Sequence, residues 1–139
     1  YGCDIEVVAI EDAKKLIQKK KLEDLISVEV RDIFEQDSKV DWASATVVIL
    51  YLSIQGNLKV RPILLKNLKQ GTKVVTVQFG MGSWKPTETC QVEHPGHHSD
   101  TGKIPLYLYT INEEAIELLN SSSNDLDDWT LNVTKNQDN

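Results

Sequence analysis

Residues 45–52 read ATVVILYL, eight positions without a charge and rich in β-branched side chains. A continuous apolar run of this length is the pattern of a parallel strand covered on both faces, so it is predicted to lie centrally in a sheet. Downstream, Arg61-Pro62 offers a helix start, because proline is tolerated in a first turn. Ile63, Leu64, Leu65 and Leu68 follow, Gln70-Gly71 closes the helix, and Lys73–Phe79 (KVVTVQF) is the next strand.

Upstream, Ile10, Ala13, Leu16 and Ile17 recur at helical spacing while Glu11, Asp12, Lys14 and Lys15 fall on other faces, which predicts an amphipathic helix over 7–20. Gly2-Cys3-Asp4-Ile5 reads as a strand exit, and the chain opening at Tyr1 rather than Met suggests a segment before it. Residues 26–30 alternate as a short strand that delivers Asp32 at its tip. Residues 89–93 and 106–111 flank a loop rich in Gly, Pro, His and Ser and read as an antiparallel hairpin. A short helix is expected through Ala115, Ile116 and Leu119. The expected fold is α/β, a mostly parallel sheet with an antiparallel terminal strand pair, over residues 1–119. Residues 120–139 are expected to be a polar tail.

Composition narrows the function. The 15 basic residues against 21 acidic give a net charge of −6, so the surface is not built to neutralise many phosphates and no nucleic-acid partner is expected. No apolar run approaches the ~20 residues a membrane helix needs. Cys3 and Cys90 are the two cysteines, without a CxxC pair or secretory signal, which points to reduced thiols in a soluble, cytoplasmic protein. The Lys19-Lys20-Lys21 run suits a helix C-terminus, where cations complement the dipole.

In open α/β sheets ligands bind beyond the carboxyl ends of the strands. The residues to inspect are therefore Asp4, Asp32, Tyr51 to Ser53, and Gln78 to Trp84. A carboxylate after such a strand can accept from both hydroxyls of a ribose, and Asp4 stands there; it can equally cap the helix that follows. Asp32 can accept from an exocyclic adenine amine beside Ile33 and Phe34, or form an ordinary Asx turn.

The segments GCDIE, RDIFEQD, ATVVILYLSIQGNLKVRPILLKNLKQGTKVV and QFGMGSWKP, in that order and spacing, resemble class I S-adenosylmethionine-dependent methyltransferases. Within them the chain is most similar to the small archaeal and mitochondrial protein lysine methyltransferase group. The resemblance runs to about Ile111 and implies a Rossmann-like sheet and S-adenosylmethionine as cofactor. It places Asp4 on the ribose hydroxyls, Asp32 on the adenine amine, Ile5 and Ile33 about the base, and Tyr51 beside the reactive sulfonium. It also implies a protein lysine as acceptor.

The family's first strand and its glycine-rich loop have no counterpart here; Gly80-Met81-Gly82 and Gly96 follow the wrong strands. Because that first strand lies between the family's second and fourth, the sheet is expected in two pieces. A non-catalytic binding module that has lost the cofactor loop is the alternative, and a nucleotide-binding oxidoreductase a third reading. No catalytic base is named: Tyr51, Ser53 and Trp84 could line an acceptor channel, with Trp84 better read as packing. Glu93 to Asp100 carries three histidines, but a loop without a rigid pair of ligands reads as solvated rather than as a metal site.

Overall fold

The computed structural model describes residues 1–35, 39–93 and 102–120. The chain divides into two compact units, Tyr1–Val40 and Asp41–Asn139. The expected tail, from Ser121 on, and the histidine loop lie outside the described residues.

The first unit is a strand–helix–strand unit: β1 (Gly2–Asp4), α1 (Val7–Lys20) and β2 (Val28–Val30). The two strands pair in parallel, Gly2 with Val28 through to Asp4 with Val30. The helix has the predicted bounds. It ends because Lys21 turns left-handed at φ 56°, letting the Lys21 and Leu22 N–H groups reach the carbonyls of Gln18 and Ile17. Its apolar stripe is poorly covered: Ile10 is buried, while Leu16 is 56% exposed.

The second unit runs from a short 3-10 helix (Trp42–Ser44) through β3 (Val47–Leu50), α2 (Ile54–Asn67), β4 (Lys73–Val77), β5 (Glu88–Glu93) and β6 (Lys103–Thr110) to α3 (Glu113–Glu117). Its four strands take the order β3-β4-β6-β5. β3 and β4 are parallel, whereas β6 is antiparallel to both β4 and β5. The α/β class and the terminal antiparallel pair are thus as expected, and the described strands form two sheets rather than one.

Two expectations need correction. The ATVVILYL run is not central among the described strands: β3 pairs only with β4, and Val47 and Ile49 on one face are 54% and 71% exposed. The following helix starts at Ile54, not at Arg61-Pro62. Ser53 caps it, its Oγ accepting from the Gly56 N–H at 3.1 Å. Pro62 therefore sits inside α2, where it removes one backbone donor at a cost of about 3 kcal/mol in isolation. The buried stripe Val60, Leu64, Leu65 and Leu68 offsets that cost, joined in the core by Val74, Met81, Trp84, Ile104, Tyr109 and Ile111.

Candidate functional site

In the first unit, parallel pairing brings the carboxyl ends of β1 and β2 to one edge, and with them Asp4 and Asp32. The Arg31 N–H donates to the Asp4 carbonyl at 2.9 Å, extending the ladder to the residue before Asp32. Each carboxylate makes one local bond through Oδ1: Asp4 accepts from the Glu6 N–H at 2.9 Å and Asp32 from the Phe34 N–H at 2.8 Å. These are Asx turns, so the ordinary role foreseen for Asp32 is filled. Asp4 does not cap α1, whose N-cap residue Glu6 makes no side-chain cap bond. In both residues the second oxygen has no hydrogen-bond partner among the described residues. Arg31 is engaged elsewhere, its Nε 2.9 Å from Glu29 Oε1. That bond, with one from the Tyr1 hydroxyl, holds the Glu29 carboxyl below its usual pKa. Ile5, beside Asp4, is 65% exposed, and Ile33 and Phe34, beside Asp32, are half-buried.

In the second unit, the carboxyl ends of β3 and β4 likewise share an edge. Tyr51 follows β3 and is 60% exposed; Ser53 is spent on capping α2. A cleft of about 340 Å³ opens at this edge, lined by Ile54, Leu58, Gln78, Phe79, Gly80, Gly82 and Tyr107. Its floor begins with a strained turn. Gln78 has φ 71°, and the Phe79 N–H donates across it to the Val77 carbonyl at 2.9 Å, the rarer and more strained form of γ-turn.

The turn is held from three sides. Asn57, fully buried on α2, donates from Nδ2 to the carbonyls of Phe79 (2.9 Å) and Gly80 (3.4 Å), leaving its Oδ1 without a partner among the described residues. Arg61 donates from Nη1 to the Met81 carbonyl at 2.9 Å. The Tyr109 hydroxyl accepts from the Met81 N–H at 3.1 Å, and burial pushes its pKa up. A Cβ at Gly80 would stand 3.2 Å from the same hydroxyl, a tight contact that the tyrosine would have to relieve by shifting a few tenths of an ångström. Trp84 is buried against Tyr109, ring centroids 4.9 Å apart, which makes it packing, as read from the sequence.

Sequence reasoning found the strand tips and missed the residues that shape the second one. Asn57 carried a signal: it falls on the stripe continued by Val60, Leu64 and Leu68, and a polar residue among apolar ones at helical spacing has a partner to satisfy. Arg61 and Tyr109 carried none. Among the described residues no group of three or more His, Cys, Asp or Glu could hold a metal ion, and no helix is long and apolar enough to cross a membrane.

The chain is similar in sequence and in fold to known proteins. A protein-lysine N-methyltransferase from Saccharolobus islandicus is 35% identical over 112 residues, which cover 81% of this chain and 64% of that protein. The crystal structure of an RNA methyltransferase from Salinibacter ruber in complex with S-adenosyl-L-homocysteine superposes with a TM-score of 0.64 at 34% identity, over 81% of this chain and 65% of that one. A putative rRNA-methylase from Clostridium thermocellum shares the fold at a TM-score of 0.55 and 14% identity, over 81% of this chain and 72% of that one. The chain thus spans just under two thirds of the length of the first two. The model of the ANTKMT methyltransferase domain matches residues 1–88, more than half of the sequence, and this chain belongs to that methyltransferase domain family.

Proposed function

We propose that the protein carrying this chain transfers a methyl group from S-adenosylmethionine to a protein lysine, and that residues 1–40 hold the cofactor's adenosine end. The observation that carries the reading is the pair Asp4 and Asp32, both at the carboxyl edge of β1 and β2. Each has one oxygen in a local turn and the other without a hydrogen-bond partner among the described residues. That acceptor chemistry fits a nucleoside: the second oxygen of Asp4 accepts from ribose hydroxyls and that of Asp32 from the adenine amine, while Ile5 and Ile33 give the base apolar surface. The resemblance gives Tyr51 to the methyl-donating end.

When bound, S-adenosylmethionine supplies an electrophilic methyl carbon. What the chain's residues contribute is position and exclusion of water, and no dedicated acid–base triad is needed for an in-line displacement. The residues fit the cofactor, and the non-catalytic module is the weaker reading.

A protein acceptor is supported by the relative from Saccharolobus islandicus, which is named a protein-lysine N-methyltransferase. An RNA acceptor is the second reading, raised by the Salinibacter ruber neighbour. The net charge of −6 favours protein, because phosphate contacts need clustered cations. With two free cysteines, a reducing, cytoplasmic compartment is part of the proposal. The experiment is methylation of a cell extract by the full-length protein with methyl-labelled cofactor. Label removed by protease and retained after ribonuclease is the expected result; the reverse replaces lysine with RNA, and no label rejects the activity.

A further inference from the structure

The cleft of the second unit has two polar side chains among its described lining residues, Gln78 and the hydroxyl-bearing Tyr107, and Gln78 is the strained one. Ile54, Leu58, Phe79 and Tyr107 give it apolar walls, Gly80 and Gly82 give it backbone, and Gln78 gives it a carboxamide without a hydrogen-bond partner among the described residues. Glutamine pays a steric penalty at φ 71° that glycine would not. Such strain persists where the surroundings over-determine it and where it aims a functional group. Here the surroundings do over-determine it: Asn57 donates to the carbonyls of Phe79 and Gly80, Arg61 donates to the Met81 carbonyl, and Tyr109 accepts from the Met81 N–H.

We propose that Gln78 is a specificity-determining residue for the methyl acceptor, its carboxamide oxygen accepting a hydrogen bond from an amine whose aliphatic stem lies along Ile54, Leu58, Phe79 and Tyr107. The inference rests on the methyltransferase reading above and deepens it by naming the residue that reads the acceptor. The shape suits a lysine side chain, four methylenes ending in one nitrogen. The chemistry suits its reactive form, because no ionised side chain is among the described residues that line the cleft. A neutral, partly desolvated site favours the uncharged amine, which has the lone pair that attacks. Gln78 orients that nitrogen and takes no proton from it, since a carboxamide is not a base at neutral pH. Asn57, Arg61 and Tyr109 are positioning residues for the turn.

The test uses the full-length protein, a peptide carrying one lysine in a neutral sequence, and two variants. Gln78→Leu keeps the bulk and removes the acceptor oxygen; Gln78→Gly removes the side chain and relieves the turn. Both are expected to lower kcat/KM for the peptide by roughly tenfold or more, the loss of one hydrogen bond to a polar group that matters in the bound state. Calorimetry should show the same weakening of peptide binding to protein saturated with S-adenosylhomocysteine. Affinity for S-adenosylhomocysteine itself should stay within about twofold, and Gln78→Gly should unfold at or above the wild-type Tm. A merely structural Gln78 would give the opposite pattern, a lower Tm in Gln78→Gly with both affinities falling together, and that overturns the proposal. So does wild-type kcat/KM in both variants. If the wild-type protein methylates neither peptide nor extract, the methyltransferase reading fails and this inference falls with it. Peptide methylation that ignores Gln78 removes this inference alone.

Discussion

The two units of this chain are built from the same strand–helix–strand idea and differ in what covers it. In the second, α2 buries Val60, Leu64 and Leu65 and the sheet buries Val74, Ile104 and Tyr109. In the first, Ile10 alone is buried among the described residues, while Ile5, Val7, Val8, Leu16 and Leu25 are each more than half exposed. A 40-residue unit cannot bury enough surface to stand by itself without further support. The difference teaches that the candidate adenosine site sits on the less cored part of the chain, and the candidate acceptor cleft on the better cored part.

The comparison breaks most visibly under truncation of a leucine in each unit. Leu64→Ala, at a fully buried position, should destabilise by about 2–5 kcal/mol, whereas Leu16→Ala, at a position 56% exposed, should stay within ~0.5 kcal/mol. Denaturant unfolding of the two variants measures the contrast, and equal losses would show that both units are equally well cored. Tyr109→Phe comes next. It leaves the Met81 N–H without its acceptor, at about 1–3 kcal/mol. It also changes the pH dependence. The Tyr109 pKa is raised in the folded state, so its contribution to stability is complete below the unfolded-state value of about 10 and is lost as pH rises through the folded value. The phenylalanine variant should lack that alkaline component in stability measured against pH. Smallest is Ser53→Ala, which removes the cap of α2 and should cost about 1 kcal/mol by the same unfolding assay.

The same contrast runs between the edges of the four-stranded sheet. β5 carries exposed Glu88, Thr89, Cys90 and Gln91, a polar edge that resists further pairing. β3 exposes Val47 and Ile49 instead. The ATVVILYL run was legible as a strand because its β-branched content is local information. Its place in the sheet was not, because a continuous apolar run says that both faces suit burial without saying what buries them. Periodicity located α1 to the residue, since its stripe and its basic last turn agree. It misplaced the start of α2 because Arg61-Pro62 read as a helix opening, while the Ser53 cap and the core stripe begin the helix at Ile54.

Of the candidate site, Asp4 and Asp32 were legible as acidic residues at strand tips, an arrangement fixed by sequence order in a parallel pair. The shape of the second edge was not. The left-handed turn at Gln78 is imposed from α2 and β6, 21 to 31 residues distant in sequence by the contacts of Asn57 and Tyr109, and no local pattern in QFGMG announces it. Arg61 and Tyr109 gave no sign of their roles for the same reason.

The central claim is that Asp4 and Asp32 hold the adenosine end of the cofactor, and calorimetry on the full-length protein tests it most directly. The wild-type protein should bind S-adenosylhomocysteine, and Asp4→Asn and Asp32→Asn should each weaken that binding by roughly tenfold or more, as expected for losing a charged hydrogen-bond acceptor, with unfolding midpoints unchanged. Wild-type affinity in both variants would contradict the account.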